Sequence, residues 1–325
     1  MFVKKDGDKV LYLLLWVDDI FIGCNDAEMR GKFMKAFSVR FRVKDLGLLT
    51  QGLGSSIEQD LKAGTVKLSL NTYIGDVARK FDLDEDVSWA DIPVPVALHK
   101  LCVDAVVTTE ESLAYVDAYR VIVGSIVFVA TFARPDVAFA AHTLSTFNSR
   151  PGAVHMRLAR RVMGYLSRTR ALGITYRRGD GSDISMAFKP APPEDGPLRP
   201  DTSGLPHQAV NSSHAVYRST TGWVTMMAGA AVMWAVRSQL QPSLSSAEAE
   251  LYGLSTAVCD ILAFLNVLEE MEVGFKGVIS ILVDSRAARL IAEDCASTAR
   301  TRHIHRRWFF VQHYINENVV RIVAV

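Results

Sequence analysis

Hydrophobic positions along the chain fall into a few dense runs separated by polar and proline-rich stretches. The first, Leu11 to Ile22 (LYLLLWVDDIFI), is apolar or aromatic at ten of twelve positions and broken only by Asp18 and Asp19. It predicts a β-hairpin over Val10 to Ile22, with the two acids near the turn. Asn25-Asp26 offers a cap for a helix reaching about Phe37, in which Met29, Phe33 and Phe37 recur at fourfold spacing. Val66 to Leu70 predicts a short strand. Asn71 to Phe81 predicts an amphipathic helix with Tyr73, Ile74, Val77 and Phe81 on one face. Asp82 to Thr109, rich in acids and carrying Pro93 and Pro95, predicts an extended connector and a first boundary.

Tyr115 to Asn148 is rich in Val, Ala and Phe, and Arg134-Pro135 breaks it into two expected helices. A basic helix is expected over Ala153 to Thr169. By the 100° helical step, Arg157, Arg161 and Arg168 point one way, while Leu158, Val162 and Leu166 point largely the other. Gly and Pro are dense from Asp180 to Pro206, which reads as a loop or linker and a second boundary. Beyond it the pattern predicts strands at Gln208 to Ser212, Gly222 to Met227 and Ala231 to Val236, then a long helix from Ser246 to Met271. A strand at Val278 to Val283, helices at Arg286 to Asp294 and Arg306 to Asn316, and a strand from Val320 to Val325 complete it. The expected class is α+β, ending in a mixed sheet flanked by helices.

Composition narrows this picture. With 49% hydrophobic and 22% charged residues in 325, the chain has the makeup of a globular protein of two or three domains. A formal net charge of +1 provides no global field, so any nucleic-acid binding must rest on local clusters. One such cluster is visible: no acid lies between Asp136 and Asp180, an interval that also holds Arg150, Arg160, Arg170, Arg177 and Arg178. It either contacts phosphates or is a solvated helix face. Cys24, Cys102, Cys259 and Cys295 form no CxxC pair, which suggests a reducing compartment and no structural zinc. No secretory signal is apparent, and the apolar run Val121 to Ala133 falls short of the roughly 20 residues of a membrane span. A soluble, intracellular chain without membrane partners is expected.

Candidate chemistry begins at Asp18 and Asp19. Adjacent carboxylates inside a buried apolar run need compensation, and a divalent cation such as Mg²⁺ would supply it; a polar turn with both acids in water needs none. Ser245 and Glu248 form an S-x-x-E pattern, which assigns Glu248 to helix capping. Asp284 follows an apolar strand and either binds metal at the sheet's exit or caps the next helix. His303 and His305 sit among Arg300, Arg302, Arg306 and Arg307, a basic loop or a softer metal's ligands.

Several of these residues belong to a wider likeness. Trp16-Val17-Asp18-Asp19 resembles the YVDD box of reverse transcriptases, with Trp in the Tyr position. It is followed in order by Lys44-Asp45-Leu46-Gly47, Tyr119-Arg120 through Val123-Gly124-Ser125, Arg134-Pro135-Asp136 with Ala138-Phe139-Ala140, Arg218-Ser219-Thr220-Thr221-Gly222, Ser245-Ser246-Ala247-Glu248-Ala249-Glu250 and Arg300-Thr301-Arg302-His303-Ile304. In that order the chain is similar to the end of a copia-type retrotransposon Pol polyprotein. The resemblance implies a reverse-transcriptase palm and thumb remnant over 1–95, a connection region with the basic helix over 96–180, and a ribonuclease H-like domain over 181–325.

It also implies chemistry. Polymerisation in such proteins uses two metal ions held by three aspartates; Asp18 and Asp19 match two, while the third and the fingers precede the box, so DNA synthesis is not expected of these residues. The ribonuclease H mechanism uses two Mg²⁺ ions held by four carboxylates against an RNA–DNA hybrid. Glu250 and Asp284 match two of them. Asn211 and His305 stand where the other two are expected, and neither type suits Mg²⁺. Metal binding is therefore expected to be weak and cleavage weakened or absent. Rival readings are an active Mg²⁺-dependent hybrid ribonuclease and a non-catalytic nucleic-acid-binding relic using Arg157, Arg161, Arg168 and Arg302. Partners implied are a hybrid, DNA or RNA, and remaining Pol segments.

Overall fold

The computed structural model describes residues 1–83, 92–95, 97–179, 184–191, 219–240, 246–275, 277–283 and 305–324. It is α+β, built on three sheets. The first is antiparallel, β1 (Phe2–Asp6), β2 (Lys9–Trp16) and β3 (Asp19–Cys24), in that order. Alternation on β2 sends Leu11 and Leu13 under helix α1 (Ala27–Arg40), where Met29, Phe33, Ile20 and Ile22 close a small core. Asp26 caps α1, accepting from the Met29 N–H at 2.7 Å. The hairpin and helix match their sequence expectation, while β1 was not foreseen.

The second sheet runs β4 (Gln51–Gly52), β5 (Ser55–Asp60), β6 (Thr65–Ser69) and β7 (Gly173–Arg177). Between β6 and β7 the chain makes α2 (Asn71–Lys80), α3 (Leu98–Val103), α4 (Thr109–Phe132), a short 3-10 turn at Pro135–Val137, α5 (Ala138–Ser145) and α6 (Ala153–Arg168). β7 then returns antiparallel to β6. Their approach is so close at Gly173 that a Cβ there would lie 2.2 Å from the Leu68 carbonyl oxygen, so only glycine fits.

One core joins all five helices, from Leu70 and Ile74 through Tyr119, Ile122 and Ile126 to Val162 and Leu166. Its members include Leu83 before residues 95/96 and Leu98 after them. The expected extended connector is corrected accordingly: Leu83, Leu98 and Cys102 are buried in this core, and α3 forms within it. Prolines made the segment look open, whereas its apolar residues anchor it.

The third sheet has the order β10-β9-β8-β11-β12, with β8 (Ile184–Ala191), β9 (Thr220–Met227), β10 (Ala230–Ser238), β11 (Ile279–Val283) and β12 (Val320–Ala324). β9 is antiparallel to both its neighbours, and β11 is parallel to β8 and β12. Helices α7 (Ser246–Glu270) and α8 (His305–Asn316) pack on it around Leu251, Leu254, Val258, Ile281 and Val311. Here the linker expected over Asp180 to Pro206 is corrected. It contains β8, the central strand, with Ile184 and Met186 buried; Pro190, Pro192 and Pro193 had masked the alternation. The strand expected at Gln208 to Ser212 and the helix expected at Arg286 to Asp294 lie outside the described residues.

The third sheet docks its edge strand β10 on the helical core. Trp234 donates its indole N–H to the Ala130 carbonyl at 2.6 Å, the Tyr176 hydroxyl donates to Ala231 O at 3.0 Å, and His142 Nε2 lies 3.0 Å from Ser238 Oγ. Helix α4 and residues Glu248–Glu270 of α7 are long and apolar enough to cross a membrane, but each buries a face in a core here.

Candidate functional site

At the hairpin tip Trp16 pairs with Asp19, leaving Val17 and Asp18 as a two-residue turn. Val17 has φ 51°, a left-handed value that a β-branched side chain rarely adopts. Of the two turn residues Val17 alone has a positive φ, a position that normally takes glycine in a two-residue hairpin turn. Strain of this kind costs on the order of 1–3 kcal/mol and clusters at functional sites. Both acids are exposed, and Val17 is 90% exposed. The sequence had suggested carboxylates inside a buried run. They extend past the cover of α1 instead, so water solvates them and no cation is needed to offset burial. Among the described residues, no three His, Cys, Asp or Glu side chains converge as a metal-holding group.

The second candidate centres on Glu250, in the first turns of α7. Its Oε2 is buried and has no hydrogen-bond partner, an orphaned acceptor of the kind a cation would satisfy. Gln239, just past β10 and 1% exposed, fastens this end of α7 to the sheet. Its side-chain N–H₂ donates to Ala249 O at 2.7 Å and to Thr221 Oγ1 at 3.0 Å, while its backbone N–H donates to Ser219 O at 2.8 Å. Sequence reasoning passed over Gln239 because a lone amide carries no periodic signal. Leu251, Leu254 and Val258 pack into the core, with Leu265 half-buried beside them.

β11 ends at Val283, buried and paired with Phe188 of β8 and Ala324 of β12. Asp284, Asn211, Arg302 and Ser245 lie outside the described residues, and His305 opens α8 with its side chain outside them as well. The central strand β8 reads ISMAFKPA and contains no carboxylate. A divalent-metal pair would thus have Glu250 as a fitting ligand and no acid from the strand beside β11.

The α6 face has the expected two-sidedness. Leu158, Val162 and Leu166 are buried, Arg157 and Arg168 are exposed, and Arg161 is half-buried with its Nε out of solvent and unpartnered. Arg307 lies on α8, within the helix expected from Arg306, with its guanidinium 3.6 Å from the Tyr252 ring centroid and Nη1 3.4 Å from Ser255 Oγ. That stacking is a structural tie between α7 and α8.

Comparison with known proteins adds to this. Residues 1–95 match the family model described as reverse transcriptase (RNA-dependent DNA polymerase). The putative transposon Ty5-1 protein of Saccharomyces cerevisiae is 28% identical over 262 residues, covering 80% of this chain and 77% of that one. The retrovirus-related Pol polyproteins from transposon RE1 of Arabidopsis thaliana and TNT 1-94 of Nicotiana tabacum are 26% and 25% identical over the whole chain, which spans 20% and 23% of their lengths. No solved structure matches.

Proposed function

Since this chain belongs to the copia-type retrotransposon Pol polyproteins, we propose that it is a reverse-transcriptase-related segment that does not itself polymerise, joined to a ribonuclease H-like domain with a depleted metal centre. The observation that carries the second half is the sheet order β10-β9-β8-β11-β12, with β9 antiparallel and β8, β11 and β12 parallel. Counted from β8 that is 3-2-1-4-5, a mixed sheet flanked by helices of the kind the ribonuclease H resemblance implies. The orphaned Glu250 oxygen supports a ligand role for that residue.

Mg²⁺, when bound in such a centre, activates water against a phosphodiester and stabilises the leaving oxygen. Glu250, and Asp284, which follows β11 in the sequence, are the residues that would hold it. Gln239 keeps Glu250 in register with the sheet. With Asn211 and His305 where the resemblance expects two of the four carboxylates, and no acid within β8 to replace the first, the centre would attract one cation weakly and not balance two. On the polymerase side, Asp18 and Asp19 stand exposed at the hairpin tip, where they would supply two of the three aspartates such a site uses. The basic face of α6 supports a residual affinity for nucleic acid.

The test is a hybrid-cleavage assay in Mg²⁺ and in Mn²⁺ on the full chain, beside an Asn211→Asp, His305→Asp double variant. Cleavage absent or very slow in the first and raised in the second is expected. Robust wild-type cleavage abolished by Glu250→Ala would show the centre to be intact, and cleavage that ignores Glu250→Ala would remove the site.

A further inference from the structure

A cavity of about 340 Å³ opens between the edge of β10, the end of α4 and helix α7. Its walls include Phe132, Tyr176, Trp223 and Trp234, and its polar groups include Arg237 and Asp260. None of these six belongs to the hairpin tip, the Glu250 site or the α6 face. We propose that this cavity recognises a guanine base, taken from a free nucleotide or from an unpaired position in a strand.

Asp260 supplies the first argument. Its Oδ2 is buried and makes no hydrogen bond; its nearest cation, Arg237 Nη1, is 3.8 Å away, within ion-pair range and beyond a good hydrogen bond. Burial pushes this carboxyl above the usual aspartate range, with Arg237 opposing in part. An acceptor in that condition is completed by an N–H donor from outside.

The walls supply the second argument. Two indoles, a phenyl and a phenol around one space favour a flat ring system, because base-on-aromatic contact needs no particular base. Trp234 has its N–H engaged with Ala130 O and Tyr176 its hydroxyl engaged with Ala231 O. Both polar tips are therefore satisfied elsewhere, leaving apolar surface to line the space. The volume is at the low end of the roughly 300–1,000 Å³ of small-ligand pockets.

Charge then selects among flat ligands. Arg237 already lies over the Trp223 ring at 4.9 Å from its centroid, so an organic cation would meet a guanidinium where an aromatic cage should be. The Arg237 side chain is 59% exposed, and at the cavity's mouth it suits a phosphate. A carboxylate accepts and cannot donate. Guanine presents N1–H and the 2-amino group side by side, two donors with no acceptor between them. Adenine and cytosine set an acceptor beside their amino group, and uracil flanks its N–H with two, each facing the carboxylate with a lone pair. The inference needs neither metal nor cleavage, and so stands apart from the Glu250 reading.

The test follows tryptophan fluorescence and calorimetric binding of GMP, IMP, AMP, CMP, UMP and guanosine to the full chain. GMP should bind best, IMP, which lacks the 2-amino group, more weakly, and the other bases about tenfold or more below GMP, the loss expected when a paired-donor contact is removed. Arg237→Ala should weaken GMP more than it changes guanosine. Asp260→Ala and the isosteric Asp260→Asn should erase the preference for guanine; if either variant fails to fold, the base series on the unaltered chain still decides. A thymidine pentamer carrying one central guanine separates the sources: tighter binding than GMP assigns a strand, weaker binding a free nucleotide. Equal binding of all bases, no binding, or a guanine preference that survives both Asp260 variants would overturn the proposal.

Discussion

Arg134 and Asp136 form a two-pronged ion pair two residues apart, Nε to Oδ1 at 2.9 Å and Nη2 to Oδ2 at 2.7 Å. The same guanidinium donates to Thr169 O at 3.0 Å and to Thr169 Oγ1 at 2.8 Å, closing the end of α6. Tyr165 completes the cluster, its hydroxyl donating to Asp136 Oδ2 and its ring 5.4 Å from the guanidinium carbon. The Arg-Pro-Asp stretch thereby joins α4, α5 and α6.

Arg134→Ala should destabilise the chain by about 2–4 kcal/mol, because the arginine is fully desolvated while Asp136 keeps part of its hydration. Arg134→Lys should recover only part of that loss, since an ammonium cannot span Asp136 and Thr169 in one plane. Urea midpoints of the two variants measure both. Equal midpoints for wild type and Arg134→Ala would mean the cluster is incidental.

Val17 should be a stability liability. Replacing it with Gly relieves a left-handed β-branched residue and should stabilise the hairpin by about 1 kcal/mol, less the extra freedom glycine gains in the unfolded chain. A thermal melt that falls on Val17→Gly would show that the φ of 51° carries no strain.

The legibility of the fold tracks the range of the interactions involved. The hairpin, α1, α2 and α6 could be read from their own residues, because Leu11 and Leu13, or Leu158, Val162 and Leu166, declare a face within one element. The break at Arg134-Pro135 was local too, though the cluster it builds was not. β7 escaped notice because its partner β6 lies about a hundred residues away, and register between distant strands leaves no local trace. β8 was hidden by prolines at its end. The acids at the hairpin tip misled in another way: apolarity along Leu14, Leu15 and Trp16 suggested burial, yet all three are exposed. Of the candidate site residues, Glu250 stands out in the sequence by its motif, whereas Gln239 and Asp260 take their places through contacts that only the assembled sheet and helix create.

His155 should make the fold acid-sensitive. It is 1% exposed, accepts at Nδ1 from the Gly152 N–H at 3.0 Å and meets Cys102 O through Nε2 at 3.0 Å, so the neutral ring carries its proton on Nε2. Burial holds its pKa below the ordinary 6.5, with the Cys102 contact and Glu111 opposing. Burial lowers His142 as well. Below pH 6.5 the unfolded chain takes up protons that the folded chain refuses, so stability should fall as pH drops from 6.5 toward the folded pKa and should be flat above it. Denaturation midpoints at pH 7.5, 6.5 and 5.5 check the sign, and His155→Gln should flatten the curve. Stability that rises on acidification through this window would contradict the assigned neutral state.

Nucleic-acid affinity, finally, should be electrostatic and local to α6. If Arg157, Arg161 and Arg168 each meet one phosphate of duplex DNA, log affinity should fall against log salt with a slope near −2.7, and each arginine removed should lower its magnitude by about 0.9. Alanine suits Arg157 and Arg168, which are exposed. Arg161 is better changed to Met, because its stem is half-buried and truncation would mix lost packing with lost charge. The net charge of +1 offers no competing long-range field, so the three substitutions together should leave little salt dependence. A slope that survives them would move the binding surface elsewhere, and Arg302 with its neighbouring arginines would be the next segment to change.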